Sequence, residues 1–243
     1  RSQEYGWKLD DGVFCAVVEL DEVGKQHDLS SEDKDQSLEK IRLALKQRCK
    51  DCYYVILSDH IVFLVVGLLN ESKQSLFMNT LPQFFQEYSD SKYALTIGLG
   101  NVYQSVTEAY RSYNEAKKAA AIGQALFGSN HYYRYADLSM YDVFSHLSGK
   151  QLIEHPAYRQ ILKLHRLDTD NHTEHLRTLE ALIRSDWKMS EAGKRLTVHY
   201  NTIKYRVNRI KEETGWALEE REEKFRIEVA YKCYLLQKKT KEQ

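Results

Sequence analysis

Apolar residues recur along this chain with two periods, and the change from one to the other divides it. Residues 13–20 are almost continuously apolar and rich in β-branched side chains, which predicts a strand. Ser30-Ser31 opens a helix that sets Leu38, Ile41 and Leu45 on one face. Residues 53–57 and 61–68 predict strands around a tight turn at Ser58-Asp59-His60. A helical stretch over about 72–88 follows, interrupted or restarted at Pro82, because proline removes a backbone donor. Residues 93–98 predict a strand, 106–124 a long helix and 132–135 a last short strand. The order β-α-β-β-α-β describes a ferredoxin-like sheet with helices on one face.

Beyond this point the period is helical. Residues 138–166 read as helical connectors broken at Gly149 and Pro156. His155-Pro156 is the expected boundary and pivot, since the residue before proline avoids helix. Asn171 followed by Glu174 resembles a capping box, opening a helix that buries Leu176, Leu179, Leu182 and Ile183. The loop Ser185-Asp186-Trp187 ends it. Residues 189–211 then read as two short helices joined by a tight turn. In the second, Ile203, Val207 and Ile210 form one stripe at i, i+4 and i+7. Asn201, Lys204, Tyr205 and Asn208 fall on the opposite face, with Arg209 near its edge. Gly193 allows close helix crossing, while Leu196 and Val198 pin the turn. Thr214-Gly215 is a stop signal. A last amphipathic helix carries Phe225, Ile227, Val229, Ala230, Tyr234 and Leu235, with residues 237–243 frayed.

Charge sharpens the picture. The whole chain is neutral, with 35 basic and 35 acidic residues, yet residues 188–211 hold seven Lys or Arg against the single acid Glu191. Phosphates respond to that local field. Amides can bond adenine in pairs, and lysine can donate to guanine acceptors in the major groove. From spacing alone two readings stand: a helix-turn-helix that reads DNA, or an ordinary helical hairpin with a solvated basic face.

The rest of the sequence sets limits. The chain has 243 residues, 42% of them hydrophobic, enough for one large or two modest domains. No apolar run approaches the ~20 residues that span a bilayer; the best, 61–69, has nine. Nothing at the start resembles a signal peptide and the first residue is Arg1, so a cytoplasmic piece, truncated at its N-terminus, is expected. Cys49 and Cys52 form a C-x-x-C, which fits two reduced thiols at a helix-to-strand junction better than a redox or zinc pair, since no second pair exists. His172 and His175 lie three apart on a helix without a third ligand, and a solvated helix N-terminus explains them better than a metal. No metal and no cofactor are expected.

Two motifs together carry a resemblance. The stretch 172–215, with His199, Asn201-Thr202, Tyr205-Arg206, Arg209-Ile210 and Thr214-Gly215, resembles the C-terminal DNA-binding domain of the PucR/CdaR family of bacterial transcription regulators. RSYNEAKKAA at 111–120, followed by YYRYADLSMY, is similar to the end of that family's degenerate GGDEF-like domain. The resemblance covers nearly the whole chain from about Val13. It implies a degenerate GGDEF-like, ferredoxin-like α+β domain at 1–137, a helical connector at 138–170 and an all-α helix-turn-helix domain at 171–243. Family members usually carry a further N-terminal sensory domain, which this sequence does not include. The chain departs from the family pattern at Tyr200, where arginine is frequent, and at Thr197, in the turn. A β-branched residue there is expected to require a turn without positive φ.

GGDEF domains include diguanylate cyclases, which hold two metal ions with acids on the first strand and the central hairpin. Here Glu19 and Asp21 survive, but Ser58-Asp59-His60-Ile61-Val62 replaces GG(D/E)EF, and His60 stands where an acid is needed. The chain is therefore expected not to be an enzyme. The expected function is that of a dimeric regulator bound to double-stranded DNA, responding to an unknown small-molecule effector. Asn201, Lys204, Tyr205 and Asn208 would face bases, while Lys188, Lys194, Thr202, Arg206 and Arg209, with the Tyr200 hydroxyl, would hold phosphates. The alternative is a nucleotide- or small-ligand-binding signalling module whose basic helix contacts another protein.

Overall fold

A computed structural model describes residues 12–22, 31–48, 52–57, 60–67, 71–88 and 93–242. Ser30, the turn at Ser58-Asp59 and residues 49–51 of the C-x-x-C stretch, each assigned a role above, lie outside those residues. The chain divides between Val143 and Phe144 into two compact units, an α+β unit and an all-helical one.

The first unit runs β1 (Val13–Glu22), α1 (Ser31–Arg48), β2 (Cys52–Leu57), β3 (His60–Val66), α2 (Glu71–Tyr88) and β4 (Tyr93–Leu99). A 3-10 turn at Val106–Glu108 leads into α3 (Ala109–Phe127), followed by β5 (His131–Arg134) and α4 (Tyr135–Ser145). The sheet order is β2-β3-β1-β4-β5, antiparallel except for the parallel pair β4·β5.

Helices cover both faces of this sheet, not one. Phe14, Ala16 and Val18 of β1 join Leu38, Ile41 and Leu45 of α1 and Phe77, Leu81 and Phe84 of α2 in one core. The alternate residues Cys15 and Val17 pack with Val62 and Ala116 of α3 on the other face. β1 is unbroken in its apolar character because both of its faces are covered. Small residues bring α3 close: a Cβ on Gly98 of β4 would sit 1.9 Å from the carbonyl oxygen of Ala116. The 111–120 motif supplies the ties as well. Ser112 accepts from the Cys15 amide at 2.8 Å and donates to the Asn101 carbonyl at 2.7 Å, joining β1 to the loop after β4. Glu115 accepts from the Asn101 amide at 2.9 Å and the Tyr103 hydroxyl at 2.7 Å.

Pro82 does not interrupt α2, which runs through it. Its ring lies on the exposed side, while Leu81, Phe84 and Phe85 are buried on the other. Each large apolar side chain so buried is worth ~1.5–3 kcal/mol, together more than the ~3 kcal/mol that proline costs a helix interior.

The second unit comprises α5 (Gly149–Glu154), α6 (Pro156–Asn171), α7 (His175–Ile183), α8 (Met189–Leu196), α9 (Tyr200–Thr214) and α10 (Arg221–Glu242). The stretch 138–170 is not a separate connector. Leu152, Tyr158, Ile161 and Leu164 belong to the same core as Leu179, Ile203, Val207 and Ile227. His155 is extended before Pro156 as expected, but Leu152 and Tyr158 on either side of it share that core, so a pivot there would tear it open. In α10, Ile227, Ala230 and Tyr234 are buried as expected, whereas Phe225 is exposed. The helix continues through 237–242 instead of fraying, and Gln237 donates to the Leu147 carbonyl at 2.9 Å. Among the described residues no helix is long and apolar enough to cross a membrane.

Candidate nucleic-acid interface

The site is built on α8 and α9, separated by Thr197, Val198 and His199. Ile203, Val207 and Ile210 are at most 2% exposed and face α7 and α8. Burying such a stripe sets the rotation of α9 about its axis, since turning it outward would cost ~1.5–3 kcal/mol per side chain. Asn201, Lys204, Tyr205 and Asn208 consequently point to solvent, with Tyr205 65% exposed. At Gly193 an added Cβ would come within 3.2 Å of the Val198 carbonyl oxygen and 3.4 Å of Ile203, so α8 and the turn approach there closely.

The ends of α9 are capped from its own sequence. The His199 ring nitrogen Nδ1 accepts from the Asn201 amide at 3.3 Å, and Gly215 closes the helix in the left-handed region at φ 73°. Thr197 also lies in that region, at φ 57° and ψ 42°, contrary to the expectation of a turn without positive φ. Two hydrogen bonds hold it: its own amide reaches the Lys194 carbonyl at 3.1 Å and the Val198 amide reaches the Gly193 carbonyl at 3.0 Å. This C-terminal closure of α8 fixes the threonine in a conformation that costs a non-glycine residue ~1–2 kcal/mol.

The start of α7 differs from the expected capping box. Asn171 is the last residue of α6, and His172 follows it in the left-handed region. The cap comes instead from Asp168, whose carboxylate accepts from the His175 amide at 2.7 Å, the Leu176 amide at 2.9 Å and the Thr173 hydroxyl at 2.7 Å. Burial pushes this carboxyl upward, but the hydrogen bonds from Leu176, Thr173 and His175 outweigh it and hold the group below the usual aspartate value. His172 and His175 therefore lie on either side of a helix break. His175 is not solvated as expected: its Nδ1 is 2.8 Å from Asp168.

The cations expected at phosphates are arranged unevenly. Lys188 precedes α8 and is exposed. Lys194 pairs with Glu191 at 3.0 Å, and Arg209 with Glu212 at 2.8 Å, both within one helix and open to solvent. Such exposed pairs are worth at most ~1 kcal/mol and exchange readily for a phosphate. Arg206 is different: it is half-buried and reaches across to Glu174 at 2.7 Å. Thr202 is half-buried in the first turn of α9, next to exposed Tyr200 and Asn201. Arg184 and Arg195, absent from the expected set, line a surface recess together with Lys188 and Lys194. The Lys194-Arg195 doublet in α8 was the available sequence signal.

Comparison with known proteins follows the same division. Residues 1–122 match the GGDEF-like domain family, and residues 175–233 match the PucR C-terminal helix-turn-helix domain. The chain belongs to the PucR/CdaR family. Among curated proteins of this kind, it is 27% identical over 182 residues to the proline-responsive transcriptional activator PutR of Bacillus subtilis (strain 168), covering 73% of this chain and 44% of that protein. It is 24% identical over 246 residues to the DNA-binding transcriptional activator AdeR of the same organism, covering 93% of this chain and 58% of AdeR. It is also 32% identical over 131 residues to the carbohydrate diacid regulator of Escherichia coli (strain K12), covering 54% and 32%. The chain thus spans about half the length, or less, of these relatives. The match to the helix-turn-helix domain runs from α7 into α10 and so includes α8 and α9.

In the GGDEF-like unit the residue expected to replace an acid, His60, lies in the sheet. His60 on β3 pairs in register with Glu19 on β1. It is buried, with its Nε2 3.2 Å from the Tyr113 hydroxyl of α3 and its ring stacked over that tyrosine. Cys15 and Cys52 are buried, and burial pushes the Cys15 thiol up to about 12, so it stays protonated at neutral pH.

Proposed function

We propose that this chain is the DNA-reading and relay portion of a sequence-specific transcription regulator, acting in the cytoplasm as a dimer. The observation that carries this is the solvent-facing row Asn201, Lys204, Tyr205 and Asn208, held outward by the buried stripe on the opposite side of α9. Those four side chains read base edges. Lys188, Lys194, Tyr200, Thr202 and Arg209 bind phosphates and set register, joined by Arg206 once it leaves Glu174. Two protomers on a palindrome place their half-sites about one helical turn, ~34 Å, apart. Selection of bound duplexes from a random pool tests this, and should return paired half-sites at that spacing. Failure to enrich any sequence over random duplex would overturn it, because specific readers exceed non-specific binding by ~10³ or more.

We read the first unit as a ferredoxin-like core, supported by the strand order β2-β3-β1-β4, extended by α3 and β5. In our reading it relays and dimerises but does not catalyse. The imidazole of His60, bonded to Tyr113, occupies the place of a carboxylate that a cyclase needs for metal. Formation of cyclic dinucleotide from GTP and magnesium by the purified chain would refute this.

A second reading has support in the helical unit. An apolar recess of about 550 Å³, lined by Leu152, Tyr158, Trp216, Phe225 and Val229 among others, adjoins the Gly215 end of α9. It would suit a small apolar effector, whose occupancy would bias the helix it abuts.

A further inference from the structure

The geometry points to the outer edge of β2 as the dimerisation surface of the GGDEF-like unit, paired antiparallel with β2 of a second copy of this chain. The inference rests on the dimer reading above and adds where the two protomers meet.

β2 is the outermost strand of the sheet among the described residues. Its residues Tyr54, Val55, Ile56 and Leu57 are 41%, 50%, 47% and 38% exposed, four consecutive apolar side chains on an edge. Natural edge strands are protected from pairing by charge, proline or a bulge. The six residues of β2, CYYVIL, contain neither charge nor proline. All six pair in unbroken register with β3, so no bulge twists the edge away.

A second copy fits this edge better than an unrelated strand does, and the reason is charge. The flank of α1 above β2 carries Asp35, Glu39, Arg42 and Lys46, spaced to lie along one side of the helix. That flank faces β2: Arg42 stacks on Tyr54 at 4.5 Å and Lys46 lies over Tyr53 at 5.7 Å. The flank is acidic in its first half and basic in its second. A two-fold axis perpendicular to the sheet reverses the partner, setting the acidic half of one α1 beside the basic half of the other. The same axis, passing beside Val55, would put Val55 opposite Val55 of the other copy, Tyr54 opposite Ile56 and Tyr53 opposite Leu57, so that each opposed pair shares one face of the sheet. One surface is thus complementary to itself in both hydrophobicity and charge, as an isologous contact requires.

The test uses the full chain without DNA, by sedimentation across micromolar concentrations, for the wild type, Val55→Lys and Ile56→Lys. The wild type should dimerise. Each variant should self-associate at least about tenfold more weakly, because symmetry brings the added like charges together. Far-UV spectra should be unchanged, as both side chains are already half exposed. Glu39→Lys should weaken the dimer, and adding Arg42→Glu should restore it. A monomeric wild type, or variants that dimerise undiminished, would overturn the proposal. If the lysine variants fail to fold, hydrogen exchange of wild-type β2 decides: slow exchange that depends on protein concentration supports the edge contact, and fast exchange within the dimer refutes it. Binding of Val55→Lys to a single half-site should match wild type, so loss of the edge contact and loss of the DNA reading are told apart.

Discussion

Arg206, on α9, is ion-paired 2.7 Å from Glu174, which immediately precedes α7. The two are far apart in sequence, and the contact braces α9 against the start of α7. It also withholds a cation from the face proposed for DNA. Glu174 is bonded by Arg177 as well as by Arg206, and these hold its carboxyl below the usual glutamate range. Glu174→Gln should therefore release Arg206 toward phosphate. Affinity for specific and random duplex should rise together, and the slope of log K against log salt should steepen by up to about one unit. Titrations at several salt concentrations check this. An unchanged slope would mean that Arg206 stays a brace when DNA binds.

Asp168 supplies the cap of α7 from the preceding helix, and its loss should be felt by the core of the helical unit. Asp168→Asn keeps the shape but removes the charge from several short hydrogen bonds. Hydrogen bonds to a charged group are worth ~1.5–3 kcal/mol, so urea unfolding of the helical unit should lose stability in about that range. Acid should act in the same direction. Because the folded carboxyl titrates below the ordinary 3.8, the stabilisation is complete above that value and disappears as pH falls through the folded pKa. The Asn variant should lack this component of acid destabilisation. Equal acid sensitivity in both proteins would show that Asp168 is not its source.

Base contacts and phosphate contacts should separate on mutation. Asn201→Ala should relax preference at one base pair by ~1–3 kcal/mol while leaving random duplex affinity almost unchanged. Arg209→Ala should weaken all duplexes alike and lower the salt slope by about one unit. A library of mutated operators, titrated against both variants, distinguishes the two patterns. An Asn201 variant with wild-type preference at every position would remove that residue from the reading face.

Elements whose signal is local could be read from the sequence, and those held by distant partners could not. The outward row on α9 followed from Ile203, Val207 and Ile210, because one stripe sets the rotation of a whole helix. The second helical layer of the sheet was missed although β1 announces it: Val13 to Val18 are apolar without alternation, the mark of a strand covered on both faces. Pro82 misled because a rule about backbone donors ignores which side of the helix the ring occupies. The cap of α7 was invisible because Asp168 bonds amides seven and eight residues ahead, across a helix break. Likewise, neither Arg206 nor Glu174 is unusual alone, and only packing brings them together.

Thr197 is the remaining case in which local rules fail, and it yields the most direct stability test. Its φ of 57° is a conformation that glycine adopts freely and a β-branched residue does not. Thr197→Gly removes a strain of ~1–2 kcal/mol and adds ~0.5–1 kcal/mol of chain entropy to the unfolded state. The balance predicts a helical unit more stable by about 0.5–1 kcal/mol, read as a higher midpoint in urea with an unchanged slope. Thr197→Val keeps the strain and should give no such gain. The threonine side chain is exposed, so glycine forfeits little burial there. A destabilised glycine variant would therefore mean that the threonine hydroxyl makes a contact which outweighs the strain.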